Sequence, residues 1–400
     1  MTRNVKLFYL SSLLGNVYFD RAIWILYYQK IGISFFEIGI LQALVNASMF
    51  LFDIPAGYFA DKFGRKPSML IGRILIIAKY IILLSTTNVY LLGIGSILFG
   101  AGMVFIMGAD QAFLYDSIKE DSSKNNFTKF LGNFNGLMFL VLSISMACGG
   151  FLQKNSWSMV YLLTLIFQLC SLILALWLKE ERYKSIKENL EPKIKSKMSI
   201  RKLNINLATK CFIFALALYW AVASIYDMFN QKLLSEVGLS VTTIALIYAF
   251  SSPIIALFSM LAHKFEEKFS PKKVLLSAFG FSTILFLGII YKSPFIYITS
   301  FIGVSCIYNL TEPILFNKLN ELVPSSMRAT FLSYVNFLSS GMMFVLLPGI
   351  GLLGDKSGLN IIFVVIGVIS CALCIPFILR VYSNQLNQDF NKNINEKIGG

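Results

Sequence analysis

Long apolar stretches alternate with short polar strips from one end of this chain to the other. Twelve of them lie near residues 6–28, 36–60, 67–86, 89–115, 130–152, 158–178, 211–231, 240–263, 274–291, 294–317, 330–353 and 359–380. Each is long enough for a helix to cross the hydrocarbon core, which takes roughly 17–25 residues. Several run longer, which implies tilt or extension past the interface. The first is too long for a signal-peptide core, and no small-residue cleavage site follows it, so it is expected to be a span.

The longest polar interval, Lys179–Lys210, divides the spans six and six. The two halves echo each other. Phe130-Leu131, Asn135 and Gly150 recur as Phe331-Leu332, Asn336 and Gly351, and Ala60-Asp61-Lys62-Phe63 returns as Ala262-His263-Lys264-Phe265. Gly32-Ile33-Ser34 matches Gly238-Leu239-Ser240, each just before an even-numbered span. Duplicated six-helix halves mark transporters that rock two bundles about a site at the membrane midplane. The expected fold is all-α and polytopic: 12 transmembrane helices in two pseudo-symmetric bundles, residues 1–178 and 211–382. A cytoplasmic linker (179–210) separates them, and a cytoplasmic tail (383–400) follows.

Composition agrees. Of 400 residues, 56% are hydrophobic and 14% charged, with a mean hydropathy of +0.69, where soluble chains carry about 25% charged residues. The net charge of +14 is a matter of placement. With the N-terminus inside, 27 of the 35 Lys and Arg fall at cytoplasmic ends and loops, and only Lys30, Lys154, Lys232, Lys292 and Lys356 outside. That bias puts both termini in the cytoplasm. It signals topology and attraction to anionic lipid, and no nucleic-acid partner is expected. The six cysteines all lie in or beside spans, and Cys371-Ala-Leu-Cys374 lacks the βαβ context of a redox motif. A single His263 and no Cys/His cluster argue against a metal.

The strip Asp53-Ile-Pro-Ala-Gly57-Tyr-Phe-Ala-Asp61-Lys-Phe-Gly64-Arg65-Lys66 crowds charge and glycine between spans 2 and 3. Gly57 would allow close helix approach, and Gly64 a tight turn. Asp61 and Arg65 would pair at the membrane boundary, or the strip is simply a solvated topogenic loop. It resembles the loop 2–3 signature of the major facilitator superfamily, G-x-x-x-D-x-x-G-R-[KR], with every fixed position filled. Asp53-Ile-Pro55-Ala-Gly57, Tyr115-Asp116-Ser117, Glu312-Pro313 and Arg328-Ala-Thr-Phe-Leu-Ser333 resemble other stretches of a drug/proton antiporter-like branch. The resemblance implies that Gly57, Asp61, Gly64, Arg65, Lys66 and Asp116 form a conformational gate that holds the cytoplasmic side shut. The chain departs from that branch in span 4, "GAGMVFIMGAD", which has no basic residue. It departs also in span 5, where Ala147-Cys148 stands before Gly149-Gly150 in place of Gly-Pro.

Ionisable groups inside spans are costly and point to function. Span 1 carries Asp20 and Arg21, with Ser12, Asn16, Asp20, Trp24 and Tyr27 at helical spacing on one face. Span 3 carries Arg73 and Lys79, span 4 Asp110-Gln111, span 7 Asp227 with Trp220 and Ser224, and span 10 Ser305, Tyr308, Asn309 and Glu312. Asp20 precedes Gly32 by twelve residues and Asp227 precedes Gly238 by eleven, nearly equivalent places in the halves. In the family resembled, spans 1, 4, 7 and 10 surround the cavity. A carboxyl withdrawn from water holds its proton to higher pH, which is what proton coupling requires. Glu312 and Asp20 are therefore the expected proton or cation sites, followed by Asp110 and Asp227, with Asn16, Trp24, Tyr308 and Asn309 in the substrate cavity. The competing reading pairs Asp20 with Arg21 or Arg73, and Asp110 with Lys79, as fixed interhelical ties. The aromatic residues are either a cavity for flat or cationic compounds or an interfacial belt.

The function expected is secondary transport by alternating access: proton-coupled efflux of a small amphipathic or cationic compound from the cytoplasm of a bacterium, by a monomer in its plasma membrane. The alternative is import of a metabolite or nutrient on the same scaffold. The driving force would be an ion gradient, of protons, with no cofactor. A membrane-embedded enzyme lacks support, since no nucleophile–base set and no phosphate-cradling glycine loop is found. A sensor would need a soluble domain, which the polar segments are too short to supply.

Overall fold

A computed structural model describes residues 3–119, 127–180, 207–321 and 328–398. It is helical throughout, with thirteen α-helices among the described residues. They are α1 (Arg3–Gly15), α2 (Trp24–Lys30), α3 (Phe35–Phe63), α4 (Arg65–Ser85), α5 (Val89–Lys119), α6 (Phe127–Leu152) and α7 (Trp157–Leu176). After the linker come α8 (Leu207–Glu236), α9 (Val241–Lys268), α10 (Pro271–Gly288), α11 (Pro294–Glu321), α12 (Arg328–Ser357) and α13 (Leu359–Ile398). Eleven are long and apolar enough to cross a membrane. Each coincides with a stretch expected from hydropathy, and α13 runs on through residues assigned to the tail.

The first span differs from expectation. In place of one helix over 6–28, the chain forms α1 and the short α2 with irregular backbone at residues 16–23 between them. The face drawn from Ser12 to Tyr27 by helical spacing is therefore broken in the middle.

The repeat is visible at the helix caps. Gly32 and Gly238 both take positive φ, +88° and +84°. After each, a 6→1 bond closes the preceding helix: Ile33 N–H to Tyr28 O at 3.0 Å and Leu239 N–H to Leu234 O at 3.2 Å. This is the Schellman end that glycine favours. Two residues later Ser34 Oγ accepts from Glu37 N–H and Ser240 Oγ from Thr243 N–H, each capping the next helix.

The chain divides into two compact units. One comprises Met1–Lys193 with Leu234–Pro253 and Leu347–Asp355, the other Ile194–Leu233, Ile254–Leu346 and Lys356–Gly400. In the first, α5 packs closely on both α3 and α4, and α7 on α1 and α4. Phe8 sits at one end of its core, stacked 5.4 Å from Phe113 and 5.5 Å from Phe134, with Met69 and Leu114 against it. Also in this unit, the Asp355 carboxylate accepts from the Phe35 and Phe36 amides at 3.0 Å, occupying the orphan donors of α3. In the second unit α10 packs on α11 and α13.

Candidate site at a broken first span

Irregular backbone at membrane depth is tolerated only where protein or a wet cavity satisfies its polar groups. At the start of 16–23 protein supplies such partners. Gln168 Nε2 on α7 donates to the Gly15 carbonyl at 3.0 Å, and Asn16 Nδ2 donates to the Met138 carbonyl of α6 at 2.7 Å. Ser11 and Ser171 exchange hydroxyl-to-carbonyl bonds in both directions. Arg73, 2% exposed, donates from Nη1 to Ser171 Oγ. On α6, Gly149 lies so close that a Cβ there would stand 1.8 Å from the Phe19 carbonyl oxygen. The break is bordered by residues of α4, α6 and α7, all remote from it in sequence.

Asp20 lies in this break, 5% exposed. It accepts from Tyr80 Oη at 2.9 Å and pairs with Lys79 Nζ at 3.6 Å. Lys79 also lies over the Tyr80 ring at 4.0 Å and the Phe99 ring at 4.9 Å. Lys79 thus pairs with Asp20, where the competing reading gave it to Asp110. Arg21 is exposed. Asp110 is an electrostatic neighbour of Arg73, yet its Oδ1 and the Arg73 Nε are both buried without a hydrogen-bond partner. An ion pair, a second acid and a second base with spare bonding capacity thus lie within the first unit.

Around this interior the aromatic rings are packed against one another. Tyr27 lies 4.5 Å from Tyr161 and 5.5 Å from Trp157, Trp24 5.5 Å from Tyr28, and Tyr18 6.4 Å from Tyr80.

In the second unit α8 is continuous, and Asp227 accepts from Ser305 Oγ on α11 at 3.3 Å. Tyr308 lies beside Ser224 of α8, and Trp220 stacks on Phe316 at 5.3 Å. Asn309 donates to the Ser305 carbonyl at 2.9 Å. Glu312 is half-buried, one helical turn from Tyr308. The following Pro313 has no N–H to offer the Asn309 carbonyl, so an acceptor is left free in the same turn. The structure brings Asp227, Tyr308, Asn309 and Glu312 onto neighbouring stretches of α8 and α11.

The charged strip is arranged otherwise than its spacing suggested. Gly57 faces open space, and a Cβ there would meet no atom within 4 Å. Asp61 is exposed. Arg65 donates from Nη1 to the Ala112 carbonyl of α5, one turn before Asp116, whose side chain lies outside the described residues. Lys66 Nζ donates to the Leu176 carbonyl at 2.7 Å. Gly64, at φ +108° and ψ 159°, lets the chain enter α4 against Glu180. The Glu180 carboxylate accepts from the Arg65 N–H at 2.6 Å and the Lys66 N–H at 3.0 Å. An anion there suits a helix N-terminus. Asn4 meanwhile exchanges two bonds with the backbone of Lys179.

Sequence reasoning missed Glu180, Tyr80, Gln168 and Ser171. Gln168 and Ser171, spaced i, i+3 inside an apolar span, were a readable signal; Glu180, among the charges of a polar linker, was not. It also missed Asn230 on α8, fully buried with neither side-chain polar atom partnered.

A family model described as Major Facilitator Superfamily matches residues 7–348, with an overlapping second match at 212–397. The chain is 24% identical over 375 residues to the MFS-type transporter YxaM of Bacillus subtilis (strain 168), covering 89% of this chain and 90% of that one. It is 26% identical over 245 residues to the class H tetracycline resistance protein of Pasteurella multocida, 58% of each chain. The crystal structure of the nucleoside transporter NupG shares the fold, with a TM-score of 0.74 at 14% identity over 94% of this chain and 97% of that one. The chain belongs to the major facilitator superfamily of membrane transporters.

Proposed function

We propose that this protein is a proton-coupled exporter of a small amphipathic or cationic compound, working by alternating access in a bacterial plasma membrane. The observation that carries the reading is Asp20, held with Lys79 and Tyr80 in a break of the first span. Discontinuous helices are where transporters of this kind build substrate and ion sites. A carboxyl that must give up an ion pair to take a proton has two states of different contacts, which is what a coupled conformational change needs. Asp110 and Arg73 extend the relay in the first half, and Glu312 and Asp227 supply acids in the second. Arg65, Lys66, Asp61 and Asp116 at the cytoplasmic rim act as the gate, with both termini on the same side. The export direction is favoured by the likeness to a tetracycline resistance protein.

Inside-out vesicles test this. With the lumen acid, antiport carries protons out and substrate in, so members of a panel of fluorescent lipophilic cations should accumulate in vesicles bearing the protein and not in vesicles without it. No accumulation rejects export by antiport. Faster loss of preloaded nucleosides or sugars under the same gradient identifies a symporting importer instead.

A further inference from the structure

Within the second unit, the half of α9 from Ile254 onward stands off from α10 and α11, which pack tightly on each other. The space between is a groove of about 600 Å³, in the usual size range of small-ligand pockets. Its walls are hydrocarbon and sulfur, Ile254, Phe258, Phe281, Cys306 and Leu310 among them. Three polar residues line it. Ser277 Oγ is satisfied by the carbonyls of Lys273 and Val274 at 2.8 and 3.0 Å, and Thr299 Oγ1 by those of Phe295 and Ile296 at 2.9 and 3.0 Å. The third, Lys273, is exposed at one end and makes no ion pair or hydrogen bond through its ammonium among the described residues.

We propose that this groove binds one anionic phospholipid, its acyl chain between α9, α10 and α11 and its phosphate on Lys273. The polarity of the groove fits such a molecule, with apolar walls along the length and a single cation at one mouth. Water has no reason to occupy it, because the hydroxyls in the wall are already bonded to their own helices. A transmembrane helix of a partner, roughly 10 Å across and 30 Å long, is several times too large. The mouth lies at the end of the unit where Lys264, Lys268, Lys272 and Lys273 gather. Excess Lys marks the cytoplasmic leaflet, which is where anionic lipids are enriched.

The test uses the purified full-length protein, stripped of lipid in detergent, and follows thermal unfolding and native mass spectra. Phosphatidylglycerol should raise the melting temperature by about 5 °C over phosphatidylcholine at saturation and leave one copy bound in the spectrum. Inorganic phosphate alone should do neither. Lys273→Glu should abolish the difference between the two lipids, and Ser277→Trp, which fills the groove, should abolish binding of both. Lys272→Glu, beside the groove but not lining it, should leave the shift in place. Equal shifts from the two lipids, a shift surviving in Lys273→Glu, or one lost equally in Lys272→Glu would each overturn the proposal. If either groove variant melts lower without lipid, lipid competition on the unmodified protein decides the same question: phosphatidylcholine displacing the bound phosphatidylglycerol at equal concentration rejects the site.

Discussion

At the scale of single residues, the first-half site turns on whether the Asp20–Lys79 pair is a tie or a switch. Both side chains are removed from water, at 7% and 15% exposure. Removing one partner of such a pair leaves an uncompensated charge, at a cost of about 3–5 kcal/mol, while removing both together is often nearly neutral. Asp20→Asn should therefore lower the melting temperature of the purified protein markedly, and Asp20→Asn with Lys79→Met should restore most of it. Transport separates the two roles. If the pair were only a tie, the double variant would recover proton-driven uptake along with stability. A coupling carboxyl predicts a stable double variant that no longer responds to an imposed pH gradient in inside-out vesicles.

At the scale of elements, the break between α1 and α2 is what places Asp20 off a helix, and it depends on close backbone approach. Gly149 is the tightest point, since any side chain there meets the Phe19 carbonyl. Gly149→Ala should cost about 1–3 kcal/mol, the usual range for overpacking, whereas Gly57→Ala, into open space, should leave melting unchanged. Equal melting of the two variants would show that the break is not wedged by α6. The same comparison explains what was legible in the sequence. Spans, their order and the capped turns at Gly32 and Gly238 are set by local signals: a run of apolar residues, a glycine able to take positive φ, and a serine after it. The break carries no proline, and its polar residues, Asn16, Asp20 and Arg21, read equally as a functional face on a continuous helix. What surrounds the break lies far along the chain: Gln168 bonds the Gly15 carbonyl, Met138 takes the Asn16 amide, and Gly149 leaves room for the Phe19 carbonyl. The turn into α4 was half legible for a similar reason. The motif identified Gly64 and Arg65, but the anion that caps α4 comes from Glu180, in a linker whose composition marks it only as polar.

At the scale of the whole molecule, two halves descend from one pattern yet hold their acids differently. Asp20 sits in irregular backbone with a cation as partner, and Asp227 sits on an unbroken helix with a serine as donor. Glu312 stands half-buried beside a proline-freed carbonyl, and its carboxyl makes no ion pair among the described residues. A charge without a counter-charge in a membrane protein is retained for function more readily than for stability. Structural loss and coupling loss should therefore part company at this residue. Glu312→Gln keeps the size and the hydrogen-bonding capacity of the side chain and removes only its titration. It should insert and melt like the unaltered protein, in contrast to Asp20→Asn, because no buried cation is stranded. Proton-driven accumulation in inside-out vesicles should nevertheless fall to the level of vesicles without the protein. Full accumulation by Glu312→Gln would remove the second half from the coupling path and leave Asp20 and Asp110 to carry it.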